Sequence, residues 1–374
     1  MVLTMYLADR DGAEDDERVL DIAIEESLLA AELGYNPWFT EHHFRGPWHS
    51  NPMQFAAYIA PQIPADRYLG FGVLSTPYYH PVRLVESMNL LDQLTHGRTL
   101  FGLGSGFAGV EPAGMGVEAQ YHGSGQAARD TVDIMHKLWD YKTGDPEFHF
   151  KLPTHEATIK RRVVPAAYRK RHPIIIRTAR TDETVALAAR NGWPAFLGTN
   201  FGGESPLADQ VRVYRTALAE AGHPQEIVDE CLRWCTCDWL SVVVADTDAE
   251  AQAGAVRAGT EHLAIRKRFV ERNGAVAGPV AQRKAGQSTA EAYAAGADMH
   301  GLIAGNPDTV AARVQQLLDL GINHLLVRFM GEWTGETRDV SEKSMRLFAR
   351  EVMPRFKDIP PLRDPLALQL GTAS

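Results

Sequence analysis

The chain has 374 residues, 45% hydrophobic and 23% charged, which suffices for a substantial buried core and excludes wholesale disorder. Its 38 basic residues against 47 acidic ones give a formal charge of −9, which speaks against nucleic acid or an anionic membrane as partner and for a small molecule. No run approaches the roughly 20 apolar residues of a membrane helix, and the three cysteines, Cys231, Cys235 and Cys237, make neither a disulfide framework nor a metal site, so a reduced, cytoplasmic setting is expected.

Apolar β-type runs alternate with helical patterns almost from end to end, the sequence form of repeated βα units and a parallel sheet. Eight units are predicted. The first pairs a strand at 2–7 with a helix from Asp16, whose Val19, Ala23 and Leu28 belong to one apolar face before Gly34 ends it. A strand at 35–42 leads to a helix from Asn51, with Pro52 at the first helical position, where a missing N–H costs nothing. The third strand, 68–75, is followed by a helix at 81–94 that stops at His96-Gly97, and the fourth strand spans 98–103. Next come a glycine-rich loop at 104–125, a helix at 127–139 and a segment rich in charge and proline at 141–171. The fifth strand, 173–178, precedes a helix from Thr181. The sixth, 194–198, precedes a helix at 206–221, and the seventh is 240–245 after an extended approach from Leu232. Residues 257–300 are helical in composition but broken by glycines and read as a third insertion or mobile lid. A helix at 309–320, the eighth strand at 325–329 and a helix at 341–353 close the series. The expected fold is a (β/α)8 TIM barrel, one domain over 1–374, with insertions at 104–125, 141–171 and 257–300, after strands 4 and 7.

In such a barrel the C-terminal strand ends and the loops after them build the active site. Strand two ends there in Phe39-Thr40-Glu41-His42-His43-Phe44. Side chains alternate along a strand, so Trp38, Thr40 and His42 point one way and Phe39, Glu41 and His43 the other, and only one set faces the lumen.

That segment, His80-Pro81-Val82-Arg83, Leu90-Leu91-Asp92-Gln93 with Gly97-Arg98, and Phe101-Gly102 through Gly106 together resemble the bacterial-luciferase-like family of flavin-dependent monooxygenases. Gly305-Asn306-Pro307-Asp308, Gly321-Ile322-Asn323 and Glu351-Val352-Met353-Pro354 agree with it in the same order, so the resemblance touches about half the chain. It implies a two-component enzyme. Reduced FMN from a separate flavin reductase would activate O2 as a flavin C4a-(hydro)peroxide and oxidise an aldehyde, a ketone or a secondary metabolite. A homodimer through helices two and three is implied as well.

By the same resemblance His42 faces the flavin and handles protons, a task for which an imidazole titrating near neutrality is suited. Glu41 and His43, on the helix side, are left a supporting role. Gly72-Val73 falls where the family carries a non-prolyl cis peptide under the ring. Gly104 and Ser105 take the places of luciferase's reactive cysteine and of an arginine. The phosphate-binding turn maps onto Arg180, Thr181 and Thr184, with Arg180 replacing the missing cation at a helix N-terminus. Phe196 and Thr199 map to substrate-facing positions. The G-x-G-x-x-G pattern fails after Gly102 and Gly104, so no Rossmann nicotinamide site is evident and reduced flavin has to come from elsewhere. Two other readings share the pattern: a coenzyme F420-dependent oxidoreductase and a non-catalytic flavin-binding subunit. The E-H-H-F and H-P-V-R segments favour FMN, and His42 favours catalysis.

Overall fold

The pleat of a strand decides which side chains meet, and three phenylalanines show it. Strands β2 (Pro37–Phe39), β3 (Leu69–Ser75) and β4 (Thr99–Gly104) pair in parallel, Phe39 opposite Phe71 and Phe71 opposite Phe101. The rings of Phe71 and Phe101 stack at 5.0 Å, and Phe39 meets Phe55 of helix α2 (Pro52–Ile59) edge-on at 5.1 Å. The phenylalanines therefore mark the helix-covered face, each fully buried ring contributing about 1.5–3 kcal/mol. Trp38 and Gly70 share the other face, where only glycine fits at 70, because a Cβ there would stand 2.0 Å from Cε2 of Trp38.

The computed structural model describes residues 2–4, 12–44, 49–106, 110–198, 207–273 and 302–367. The chain forms two compact units, one of residues 36–175 with 270–278 and one of 1–35, 176–269 and 279–374. In the unit that holds β2, β3 and β4, helix α3 (Pro81–Leu94) begins on Pro81 with His80 Nδ1 accepting the Val82 N–H at 3.2 Å. Its polar residues hold a distant segment in place. Asp92, fully buried, accepts from the Thr99 hydroxyl at 3.0 Å and from the N–H groups of Tyr168 and Arg169 at 2.9 and 3.2 Å. Asn89 and Gln93 donate to the carbonyls of Pro165 and Ala166 at 2.8 and 3.0 Å, and Asn89 accepts from the indole of Trp139 on helix α6 (Gln126–Asp140) at 2.9 Å. The charged, proline-rich stretch is thus tied down from within the Asn89–Gln93 segment of α3, and its outer part folds into an antiparallel hairpin, β5 (Phe148–Lys151) and β6 (Glu156–Ile159).

In the other unit β1 (Val2–Thr4) pairs with β11 (His324–Phe329), β11 with β9 (Thr236–Val244), β9 with β8 (Ala195–Leu197) and β10 (Leu302–Gly305), and β8 with the end of β7 (Ile174–Thr178), all parallel. Helix α1 (Ala13–Glu32) buries Val19, Ala23 and Ala30, with the helical spacing read from sequence. Helix α10 (Asp248–Asn273) places Ala251, Ala255 and Ala258 against Val243 and Val340, small residues that let helix and sheet approach closely. Cys231, Cys235 and Cys237 are buried free thiols, and burial pushes the Cys235 thiol well up. No helix among the described residues is long and apolar enough to cross a membrane.

Four local expectations are corrected. Residues 104–125 contain two short helices, α4 (Val110–Gly114) and α5 (Ala119–Gly123), where the glycines suggest open loop. The extended approach to the seventh strand is the first part of β9, from Thr236, but its start at Leu232 belongs to a helix, α9 (Gln225–Trp234), because Val228, Cys231 and Leu232 recur at helical spacing and bury one face. Residues 257–273 continue α10, with Gly254 packed on Val243 and Val340; the rest of the expected lid lies outside the described residues. Strand β10 is an addition to the eight expected strands.

Candidate active site

β2 ends at Phe39, and an isolated parallel bridge between Glu41 and His49 carries its line onward. The alternation continues along that line. Glu41 and His43, two residues apart, meet each other, His43 Nε2 to Glu41 Oε1 at 2.7 Å, while Glu41 Oε2 accepts the Ser75 N–H at 3.0 Å. Burial, and then the charge and hydrogen bond of Glu41, push the Tyr79 phenol far above its ordinary range.

His42 turns to a different partner. Its Nδ1 lies 2.8 Å from Glu111 Oε1 on α4, and both side chains are buried, Glu111 completely. With Glu111 ionised, Nδ1–H is the donor, so a neutral imidazole carries its lone pair at Nε2. Such a ring accepts a proton at Nε2 and returns it, while the carboxylate holds its orientation and offsets the charge.

The surroundings are built from the same strand ends. His122 of α5 donates from Nε2 to the Ser105 carbonyl at 2.6 Å and lies parallel to the Tyr78 ring at 6.0 Å; Tyr78 stands edge-on to His43 at 5.6 Å. The Thr76 hydroxyl donates to the Gly104 carbonyl at 3.1 Å. Gly106 has φ +75, and a Cβ there would stand 2.9 Å from both Ser75 Oγ and Tyr78 Oη, so the turn after β4 requires glycine.

Of the residues expected from sequence, His42, Gly104 and Ser105 lie at or just beyond the C-terminal ends of β2 and β4, and Gly72 and Val73 lie in the middle of β3, all in one unit. The Gly72–Val73 peptide is cis, and the β3–β4 register shifts between Phe71 and Leu74. Arg180, Thr181, Thr184 and Phe196 lie in the other unit; Thr199 lies outside the described residues. Thr181 caps helix α7 (Asp182–Arg190) in a reciprocal capping box, accepting the Thr184 N–H at 3.2 Å. Thr184 Oγ1 accepts the N–H groups of Arg180 and Thr181 at 3.2 and 3.1 Å and donates to the Thr181 carbonyl at 2.9 Å. The Thr184 hydroxyl is thereby committed to the cap. The Thr181 hydroxyl shares in it, 3.0 Å from Thr184 Oγ1, so the group here whose chemistry suits a phosphate most directly is the exposed Arg180 guanidinium, beside the positive end of a helix. Phe196 is buried in β8, opposite Thr178 and Thr236.

Glu111 and His122 are absent from the residues expected. The signals for them are faint: one acid before Pro112 and one Tyr-His pair, both within glycine-rich sequence.

Parallel strands each followed by a helix, with an acid–base pair at the C-terminal strand ends, are the pattern of a (β/α)8 enzyme. The sequence profile of the luciferase-like monooxygenase family matches residues 1–324, and the chain belongs to that family. It is 29% identical over 223 residues to the alkanal monooxygenase alpha chain of Photorhabdus luminescens, a match covering 58% of this chain and 58% of that one, less than two thirds of either. It is 28% identical over 351 residues to the 4-hydroxyprotoasukamycin monooxygenase of Streptomyces nodosus subsp. asukaensis, covering 87% of this chain and 84% of that one. Among solved structures, the oxygenating constituent of 3,6-diketocamphane monooxygenase from Pseudomonas putida, a type II Baeyer-Villiger monooxygenase in complex with FMN, matches with a TM-score of 0.68 at 19% identity, over 96% of this chain and 99% of that one. At that identity the likeness shows the fold, the barrel class expected from the sequence.

Proposed function

We propose that this chain is the oxygenating component of a two-component flavin-dependent monooxygenase. It takes reduced FMN from a separate, transiently bound reductase and uses O2 to oxidise an aldehyde, a ketone or a secondary metabolite. One oxygen atom enters the substrate and the other leaves as water. The observation that carries this reading is the buried His42–Glu111 pair at the end of β2 in a chain of this family.

Reduced FMN, when bound, supplies the two electrons for the reaction with O2. His42 then holds and returns a proton at Nε2, and Glu111 keeps Nδ1–H engaged so that the ring does not turn. Gly72, Val73, Gly104 and Ser105 offer backbone and small side chains, against which a flat ring can lie closely. Arg180 and Thr181 would hold the phosphate, and Phe196 and Thr199 would face the substrate. We place the enzyme in the cytoplasm as a homodimer.

The test is oxygen uptake by the purified protein with photoreduced FMN and a panel of aldehydes, ketones and polycyclic aromatic substrates, with 18O2 to follow the atom. Label in product for the parent and its loss in His42→Asn are expected. Hydride transfer from reduced F420 without oxygen uptake, or FMN binding with no turnover of any substrate, would overturn the reading.

A further inference from the structure

We infer that Phe44 and Gly114 are positioning residues: their contact docks α4 on the chain end that follows β2 and so sets the His42–Glu111 hydrogen bond. The inference rests on the acid–base role proposed for His42.

Two pairs of residues meet across this junction. His42 and Phe44 are two apart in the segment that follows β2, Phe44 in a bend; Glu111 and Gly114 are three apart on α4, a spacing that puts neighbours on one helix face. His42 reaches Glu111 at 2.8 Å. Phe44 reaches Gly114, where a Cβ would lie 2.3 Å from Cε2, 2.8 Å from Cζ and 2.9 Å from Cδ2 of the ring. No side chain fits in that gap, so the ring is seated on bare helix backbone. One polar and one apolar contact, a helical turn apart, fix both the distance and the rotation of α4.

Such an outside hold is what a short helix needs. Five residues form too few internal hydrogen bonds to persist alone, so the place of α4 has to come from its contacts. The backbone of Phe44 points the same way: its φ is +58, a region an aromatic residue seldom enters. The residue is 62% exposed, so general burial does not explain that conformation, whereas a seat on Gly114 does.

Phe44→Ala, Gly114→Ala and their combination test the clasp, with Glu111→Ala as reference. Phe44→Gly, which suits a left-handed backbone, replaces Phe44→Ala should that variant unfold. In the apoprotein, 15N spectra of the histidine rings report the His42 tautomer. The parent should show the Nδ1–H form, and each variant should gain the Nε2–H form, as Glu111→Ala does. With reduced FMN, turnover should fall about tenfold, with substrate KM within about twofold. The double variant should be no slower than the worse single one, because both remove the same contact. A parent-like tautomer spectrum in both Phe44→Ala and Gly114→Ala, or losses that simply add, would overturn the clasp. The tautomer comparison needs no cofactor, so it decides the clasp even where the oxygenation assay defeats the reading of function.

Discussion

Each unit of the molecule contains a histidine held through Nδ1 by a fully buried carboxylate, and these two pairs are built for different ends. His42 meets Glu111 at 2.8 Å and His262 meets Glu332 at 2.7 Å, both through Nδ1, with both carboxylates fully buried. At the second pair the same Glu332 Oε1 also accepts from Arg328 Nη2 at 2.7 Å, and the Glu332 N–H donates to the Thr337 hydroxyl at 2.9 Å. One residue earlier on α10, Glu261 accepts the N–H groups of Glu336 and Thr337 at 2.6 and 2.9 Å. Helix α10 is thereby bolted to β11 and to the loop after it. The lesson is that an imidazole beside a carboxylate is not yet chemistry. A carboxylate tied to a fixed cation and a loop is a joint, whereas one delivered by a short helix to the end of a barrel strand can govern a proton.

Four experiments sharpen that contrast, beginning with the largest effect. His42→Asn should lower oxygenation by about 100-fold to 10,000-fold, the range for removing a general acid–base group, with the melting temperature nearly unchanged; parent-like turnover would place the proton elsewhere. Arg328→Met should do the opposite, leaving the buried Glu332 without its fixed cation and with His262 alone beside it, at a cost of about 3 kcal/mol in urea unfolding. A stability equal to the parent would mean that the joint is idle.

A third histidine supplies the case without a hydrogen-bonded carboxylate. His172 lies against Trp139 and His136, its Nδ1–H donates to the Pro173 carbonyl at 2.7 Å, and burial lowers its pKa to about 4. Folding thus favours the neutral ring. The stability this preserves is complete above pH about 6.5 and is lost as the pH falls toward about 4, on the order of 3 kcal/mol in all. Acid unfolding of His172→Phe should show that much less dependence on pH across this window, and identical slopes in the two proteins would refute it. The smallest effect belongs to the phosphate turn. Arg180→Ala should weaken FMN binding about tenfold and riboflavin binding hardly at all, by calorimetry; equal losses for both would detach Arg180 from the phosphate.

The sequence makes the barrel strands visible because each is an apolar run bounded by turn residues, and the opposed faces of Phe39 and His42 follow from alternation alone. It conceals β10, because Leu302–Gly305 is only four residues long and its strand character depends on pairing with β9. It blurs the end of α9, because the helix closes at Trp234 and β9 begins at Thr236, so the change from helical to strand period falls within a few residues. Glu111 is hidden for a stronger reason. Its role depends on a contact 69 positions away in sequence, and no local pattern marks which acid of a glycine-rich segment will reach a given histidine. The capping box at Thr181 and Thr184 is legible as a helix start, since hydroxyls three residues apart suit that end.

The hold that α3 exerts on residues 165–169 has a practical corollary. A protease that nicks the hairpin tip at 152–155 would sever the covalent path between the two flanks without releasing either. The nicked protein should elute as one species under native conditions and as two fragments in denaturant, which makes this tip a suitable place to insert a reporter tag.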